Sequence, residues 1–507
     1  MRVLVWIVLA AFMNAAVAAP AVLTPPAAAV PPPLPPIPLT TDLPSAIDSQ
    51  LPALGSAASV ALTAREEYQI GYSMTLQMRA QHQLVEDPEI EEYLNEVGKR
   101  LAAQSDKGAA QFHYYCVNTP VVNSFAAPGD FVFINSGLIT FTHTESELAA
   151  VMAHETAHET QNHIARKLLN AHKASIESLA AMLGTILLGA ASGSGQAIEG
   201  GVVASQGLAA QEQIDYSRSV EEEADRVGIE YLAAAGFDPE AMADIFQKMM
   251  RLEGIQDSWV PAVLIGHPIT VDRVAQARAR AAQFPPAPNS SSPDYYIIKE
   301  RVRVLTAPSS ENLVRYYTGR IARGHDGIGV EYGYGLALMR AGHAHRSVRV
   351  FAKLLAAHPA LHLLYTALGQ AQAQAGEMHQ ALATFAIAKR LFPLNVPVTV
   401  RYAQTLMLDH KDAQAHRMLL NLFNLVDPTP REIALTARAA SAAGDLGDAY
   451  YYMGEYQLRQ GNLPLAIKQY QIALTMPNLN YVQRQRISAR MKEVKDYLER
   501  AEARHRS

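Results

Sequence analysis

Apolar residues recur at three- and four-residue intervals along most of this chain, which is the spacing of one face of an α-helix. The pattern begins near Ala61 and continues through EEYQIGYSMTLQMRAQ and IEEYLNEVGKRLAAQ. It changes at residues 111–117, which alternate between apolar and polar, and at residues 131–134, an apolar run behind the turn signal Pro128-Gly129-Asp130. These two segments predict strands. We therefore expect a mainly α protein (α+β) with a small sheet, in which residues 131–134 form an edge strand that an extended peptide could extend.

The C-terminal part of the chain repeats with a fixed period. Three pairs of like residues are 34 positions apart: Gly342 and Gly376, Phe351 and Phe385, and Pro359 and Pro393. A further copy surrounds Gly461, and a degenerate one surrounds Leu419. This period is that of tetratricopeptide repeats, helix pairs that bury their core against their neighbours. Residues 311–500 are accordingly predicted to form an α-solenoid; the alternative is an irregular helical domain.

The N-terminal sequence has the pattern of a secretory signal. An arginine precedes an apolar stretch at residues 3–13, and small residues follow up to Ala18. We expect cleavage near Ala18, since the alternative of an uncleaved anchor needs about 20 apolar residues. Residues 19–60 are rich in Pro and Ala and predict an extended tether. No membrane span is expected in the mature chain.

Two further segments bear on the domain organisation. The breaker-rich sequence FPPAPNSSSPD (residues 284–294) predicts a first folded domain at 61–284, with a linker and connecting segment at 285–310. The apolar segment 179–191 contains two glycines and is too short to span a membrane, so it predicts either a mobile flap or a buried helix.

Composition and charge narrow the classes of partner. The net charge is −5 and the basic residues are dispersed, which argues against a nucleic-acid partner. Cys116 is the single cysteine, so an intramolecular disulfide is excluded. An exported chain without disulfides fits the bacterial periplasm better than a eukaryotic secretory route.

The segment HETAH carries the clearest chemical signal. On a helix, His154 and His158 lie on one face and can bind the same metal ion, while Glu155 projects beside them as a candidate general base. The five-residue motif alone is weak evidence. A catalytic zinc site of this type also needs a third protein ligand and one open position.

Three residues are candidates for that third ligand. His163 follows His154 by nine residues without an intervening glycine, and on a continuing helix it would point away, so we interpret it as a surface or outer-shell residue. Glu221 lies four residues before Asp225 on one helical face. The third candidate is His267, in a His-Pro dipeptide.

Three motifs in this order, NSFAAPGDFVFINSGLI (123–139), HETAH (154–158) and SRSVEEEAD (217–225), resemble the membrane-prenyl-endopeptidase and heat-shock-protease family of metallopeptidases. The resemblance implies that Glu221 is the third ligand of one Zn2+ per chain. It also implies that Asp225 is a proton donor or the partner of a liganding histidine. Finally, it implies that His267 can occupy the fourth zinc position, which would hold the enzyme latent.

Together these observations predict a zinc metalloendopeptidase with Glu155 and Asp225 as catalytic residues. With a signal sequence in front and repeats behind, the resemblance implies periplasmic quality control. Its substrates would be unfolded or misassembled outer-membrane proteins, and its repeats would contact their assembly machinery. One alternative is a chaperone or assembly scaffold that acts through its repeats with a mostly latent metal site. A weaker alternative is an exopeptidase or a protease for small peptides.

Overall fold

The described part of the chain is mainly helical. The computed structural model describes residues 63–163, 208–253, 267–287 and 291–506, which contain 19 α-helices and three strands. This confirms the predicted fold class. The predicted signal peptide, the tether up to residue 60 and the apolar segment 179–191 lie outside the described residues.

The small sheet has a mixed topology. Its strands are β1 (His113–Val117), β2 (Ser124–Ala127) and β3 (Phe131–Asn135), in the order β1-β3-β2. Strand β3 pairs in parallel with β1 and antiparallel with β2. The expectation of an edge strand at residues 131–134 is therefore wrong, because β3 is hydrogen-bonded on both sides. The edge strands are β1 and β2, and strand propensity alone could not reveal that order.

The N-terminal part of the described chain contains seven α-helices besides this sheet: α1 (Ala64–Ala80), α2 (Pro88–Ala102), α3 (Ser136–Phe141), α4 (Glu145–Thr160), α5 (Leu208–Ala234), α6 (Ala241–Glu253) and α7 (Val271–Ala281). Helix α4 begins where the Thr144 side chain accepts a hydrogen bond from the Glu147 amide, and nearly all of it is buried. Helix α5 packs closely on α4, because a Cβ at Gly228 would lie 3.2 Å from the backbone nitrogen of His154. This close approach brings the two motif-bearing helices together.

The segment predicted as a linker contains a buried helix. Helix α8 (Pro293–Thr306) begins at the N-cap Ser292 and is followed by α9 (Ser310–Ala322). Tyr295, Ile298 and Val302 of α8 are fully buried. They belong to one apolar cluster that also takes in residues of α2 and of the first repeat helices. The break in the sequence pattern at residues 284–294 therefore does not separate two hydrophobic cores.

Ten helices form the repeat region: α10 (Ile328–Arg340), α11 (Ala344–Ala357), α12 (His362–Gln374), α13 (Met378–Leu391), α14 (Val396–Leu408), α15 (Asp412–Phe423), α16 (Pro430–Ala442), α17 (Leu446–Arg459), α18 (Leu463–Leu474) and α19 (Tyr481–Arg506). Helices α10, α12, α14 and α16 are each followed by a residue in the left-handed conformation. These residues are 34 positions apart and have φ of 80° (Gly342), 81° (Gly376), 56° (His410) and 81° (Gly444). These turns confirm the predicted solenoid. His410 explains why one copy looked degenerate, since it replaces the glycine that favours this conformation.

The copy around Gly461 keeps the internal spacing but is offset by half a repeat. Gly461 links α17 to α18 with φ of 75°. A Cβ at Gly454 would lie 2.3 Å from the Tyr470 ring, as one at Gly369 would lie 2.5 Å from Phe385. The same fit of a glycine against an aromatic ring thus recurs at the end of the solenoid. None of the described helices is long and apolar enough to cross a membrane.

Candidate metal centre

Helix α4 presents the two histidines of HETAH on one face, as the four-residue spacing predicts. Their Nε2 atoms are 3.1 Å apart, and the rings are nearly perpendicular at 79°. Both side chains are buried. Two imidazole nitrogens therefore point to the same place in the interior.

Helix α5 adds two carboxylates. Glu221 lies 3.4 Å from His154 Nε2 through Oε2 and 3.7 Å from His158 Nε2 through Oε1. One turn further along, Asp225 Oδ1 lies 2.9 Å from His154 Nδ1. Glu221 thus faces the shared point between the histidines, whereas Asp225 lies behind His154, on the other ring nitrogen.

The segment before α7 brings in a third histidine. His267 Nδ1 lies 2.8 and 2.9 Å from the two carboxylate oxygens of Glu221 and 3.5 Å from His154 Nε2. One potential ligand atom from each of four residues, His154, His158, Glu221 and His267, lies within 4.8 Å of all the others. Of the three candidates for a third ligand, the structure therefore gathers both Glu221 and His267.

Arg273 of α7 is a component that the sequence reasoning missed. Its Nε and Nη2 donate to the two oxygens of Asp225 at 2.7 and 2.8 Å, and its Nη1 donates to the Pro268 carbonyl at 2.8 Å. Nη1 also lies 3.2 Å from Glu221 Oε2. This guanidinium joins α5 to the segment that carries His267. The available signal was an arginine six residues after His267.

The candidate base Glu155 is almost fully buried, with 1% of its surface exposed. Ser124 Oγ, on edge strand β2, donates a hydrogen bond of 2.7 Å to Glu155 Oε1. Within the described chain, Glu155 Oε2 has no hydrogen-bond partner. Ser124 belongs to the NSFAAPG motif, but the sequence alone assigned it no role.

His163 lies behind His158 rather than on the surface. It is buried, with Nδ1 2.9 Å from His158 Nδ1 and Nε2 3.1 Å from Glu223 Oε2. It is not among the four residues whose ligand atoms converge. The structure thus agrees with the outer-shell interpretation of His163 and adds Glu223, which the sequence reasoning had not singled out.

The electrostatics of the centre favour a cation. Burial opposes protonation, but the carboxylates of Asp225 and Glu221 raise the pKa of His154 to about 10. Burial lowers the pKa of His158 well below its ordinary value, although Glu221 opposes that shift. Imidazole nitrogens together with one carboxylate are a donor set that fits a divalent transition metal.

Comparison with known proteins matches this region to one family. The profile of peptidase family M48 covers residues 88–281, the range that contains the whole centre. A putative β-barrel assembly-enhancing protease of Vibrio cholerae is 30% identical over 454 residues, 88% of this chain and 92% of that protein.

Two other similarities are shorter. The β-barrel assembly-enhancing protease of Yersinia pestis is 34% identical over 311 residues, 61% of this chain, and the match spans less than two thirds (63%) of that protein. A mitochondrial metalloendopeptidase, OMA1, of Schizosaccharomyces pombe is 32% identical over 164 residues, 32% of this chain and 44% of that protein.

The match to the Vibrio cholerae protein extends over nearly the whole of both chains and includes the repeats. The family profile covers the HETAH helix, the EEEAD helix and the His-Pro segment. The resemblance drawn from the three motifs is thereby confirmed. The chain belongs to peptidase family M48, a family of metalloproteases.

Proposed function

We propose that this protein is a zinc endopeptidase in which His154, His158 and Glu221 hold one Zn2+. The observation that carries the proposal is the convergence of these three side chains, from α4 and α5, with ligand atoms within 4.8 Å of one another. Two neutral imidazoles and one carboxylate are a known ligand set of catalytic zinc and leave one position open.

The chemistry follows from this set of residues. When bound, the ion supplies Lewis acidity, which polarises a peptide carbonyl and acidifies a water molecule. Glu155 takes the proton of the attacking water and passes it to the leaving amine. Because Ser124 occupies Oε1 of Glu155, the other oxygen is the one left to act as the base.

Asp225 acts as the partner of a liganding histidine rather than as a proton donor. Its two oxygens are held by Arg273, and one of them also lies 2.9 Å from His154 Nδ1. Burial opposes ionisation, but these contacts hold the pKa of Asp225 below its ordinary value. An ionised carboxylate in this place orients His154 and strengthens it as a ligand.

The substrates are unfolded or misassembled outer-membrane proteins in the periplasm. Support comes from the secretory signal pattern at residues 1–18 and from the names of the relatives, which describe β-barrel assembly. Edge strand β2 carries Ser124 beside the base, so an extended substrate strand paired to β2 would run past Glu155. The solenoid is the part suited to contact the assembly machinery.

The test of this proposal separates ligands from base. His154→Ala, His158→Ala and Glu221→Ala should each lose metal and proteolysis, whereas Glu155→Gln should keep one zinc per chain and lose at least about 100-fold in rate. Zinc content and casein cleavage measure the two properties. Wild-type cleavage by Glu155→Gln would refute the mechanism. Full complementation in the cell by an inactive Glu155→Gln would instead support the scaffold alternative.

His267 is the proposed regulatory fourth ligand. It lies 2.8 Å from Glu221, close enough to take the position that substrate needs, and its side chain is 20% exposed, the most accessible of the four. A zinc ion held by three histidines and a glutamate has no open position, so the segment carrying His267 must move before catalysis. His267→Ala should retain zinc and cleave casein faster than wild type. Loss of zinc, or unchanged or lower activity, would contradict this role.

A further inference from the structure

The two histidines of HETAH are supported in different ways on the sides that face away from the centre. His154 Nδ1 lies against a carboxylate, Asp225, which is the usual partner of a liganding imidazole. His158 Nδ1 lies instead 2.9 Å from another imidazole nitrogen, Nδ1 of His163. At that distance one of the two nitrogens carries a hydrogen and the other accepts it.

The third member of the chain determines which nitrogen donates. His163 Nε2 lies 3.1 Å from Glu223 Oε2, and an ionised carboxylate can only accept. His163 Nε2 therefore carries a hydrogen, and in a neutral imidazole this leaves Nδ1 as an acceptor. His158 must then donate from Nδ1, so that its Nε2 lone pair points toward His154 and Glu221.

The backbone explains how His163 reaches this place. Helix α4 ends at Thr160, and Asn162 adopts a left-handed conformation with φ of 53°. Asparagine tolerates this conformation better than most residues. The turn brings His163 back beneath the last turn of the helix, where a continuing helix would have directed it away from His158.

We propose that Glu223 and His163 form a relay that holds His158 in the tautomer and orientation required for metal binding. They are positioning residues and not ligands. This inference rests on the proposed function, in that it takes His158 as a zinc ligand. The relay is longer than the direct Asp225 contact of His154, and its outer end is open to solvent because Glu223 is one-third exposed.

The test measures zinc affinity in the full chain rather than activity. Metal-free protein is titrated with Zn2+ in competition with a chromophoric chelator, and the unfolding temperature of each metal-free variant is recorded. We expect His163→Phe to weaken zinc binding about 10–100-fold and Glu223→Ala about tenfold, the range found for outer-shell partners. His163→Gln should recover most of the loss, because its amide can accept from His158 and donate to Glu223.

Glu222→Ala is the matched control, since it removes the same charge from the neighbouring position of α5 and should bind zinc as wild type does. The double variant His163→Phe/Glu223→Ala should bind no more weakly than His163→Phe alone, because Glu223 acts through His163. Additive losses, or unchanged affinity in His163→Phe, would overturn the relay. If wild type binds no zinc, or His158→Ala binds it as wild type does, the proposed function itself fails.

Discussion

Two clusters of buried charge in the described part of the chain are neutralised differently. The candidate metal centre joins α4, α5 and α7. The interface cluster, defined as Asp87, Glu89, Arg301 and Arg401, joins α2 to α8 and α14. Arg301 donates to both oxygens of Asp87 at 2.7 Å and to Glu89 at 3.0 Å. Arg401 donates to Glu89 at 2.6 and 2.9 Å and to Asp87 at 2.9 Å.

The interface cluster balances its own charge. Two carboxylates face two guanidiniums. Burial by itself would raise the pKa of Asp87, but Arg301 and Arg401 outweigh that effect and hold the pKa well below its ordinary value. In the metal centre, by contrast, Glu221 and Asp225 face the single guanidinium of Arg273, and the imidazoles are neutral when they act as ligands. The two carboxylates carry more charge than the one guanidinium, and a bound cation would offset the excess.

This difference separates a structural role from a chemical one. A buried charge that has a complete set of partners makes its surroundings rigid, and it offers nothing to a ligand. A buried group of ligand atoms without a matching cation has a high affinity for one. Burial alone therefore does not distinguish the two kinds of site. The number of opposite charges within hydrogen-bonding distance distinguishes them.

The largest effect is expected in the interface cluster. Arg301→Met would leave Asp87 and Glu89 with Arg401 as their remaining guanidinium, and breaking a buried pair from one side costs about 3–5 kcal/mol. Arg278→Met is the control. It removes an exposed pair with Glu240 and should cost about 1 kcal/mol or less. Unfolding in urea measures both, and equal losses would contradict the distinction drawn here.

A smaller effect, on rate and not on stability, is expected at the metal centre. Ser124→Ala removes the hydroxyl that holds Glu155 Oε1, and a hydrogen bond to a charged group contributes about 1.5–3 kcal/mol. We expect kcat to fall roughly tenfold or more with KM and zinc content unchanged. Ser136→Ala, which removes a hydroxyl bonded to the Thr119 carbonyl, should leave kcat near wild type. A rise in KM at constant kcat would argue against a role in orienting the base.

The smallest effect tests a third carboxylate of α2, Glu91, whose surroundings raise its pKa rather than lower it. Burial and the nearby carboxylates of Glu432, Glu86 and Asp87 raise its pKa from 4.5 to about 7, although Arg79 opposes the shift. The folded protein therefore favours the protonated form, and stability is lost as pH rises through 7. The pKa shift sets an upper limit of about 3 kcal/mol on the stability that is lost at high pH. Because Glu91 is partly exposed, the expected loss is about 1 kcal/mol.

Glu91→Gln should thus be more stable than wild type at pH 8 and equal to it near pH 4.5, as measured by unfolding in urea at both pH values. Glu92→Gln, at the next position, removes a contact with His362 and should stabilise the protein at neither pH. A Glu91→Gln variant that is less stable at pH 8 would show that this carboxylate is ionised and paired in the folded state.

Several features were predictable because they depend on neighbours in the sequence. The HETAH spacing placed His154 and His158 on one face of a helix, and the EEEAD spacing placed Asp225 one turn from Glu221. The 34-residue period identified the solenoid, and the glycines at its turns provided much of that signal. Each of these follows from the geometry of a single helix or helix pair, which the chain specifies locally.

Other features depended on contacts between distant segments. The order of the sheet made β2 rather than β3 an edge strand, and it placed Ser124 against Glu155. Arg273 and Glu223 gained their partners only when α4, α5 and α7 packed together. No periodicity along the chain encodes which strand pairs with which, or which arginine meets which carboxylate.

The sequence by itself determined the helices, the repeat and the residue types that can bind a metal, because local spacing decides which side chains share a face. The tertiary structure alone decided which of those residues meet. It brought His267 within reach of Glu221, turned His163 back beneath His158 and balanced the carboxylates of α2 with arginines more than 200 residues away in the chain. Such contacts form only when the apolar faces of separate helices are buried against one another, and that burial positions the polar side chains beside them.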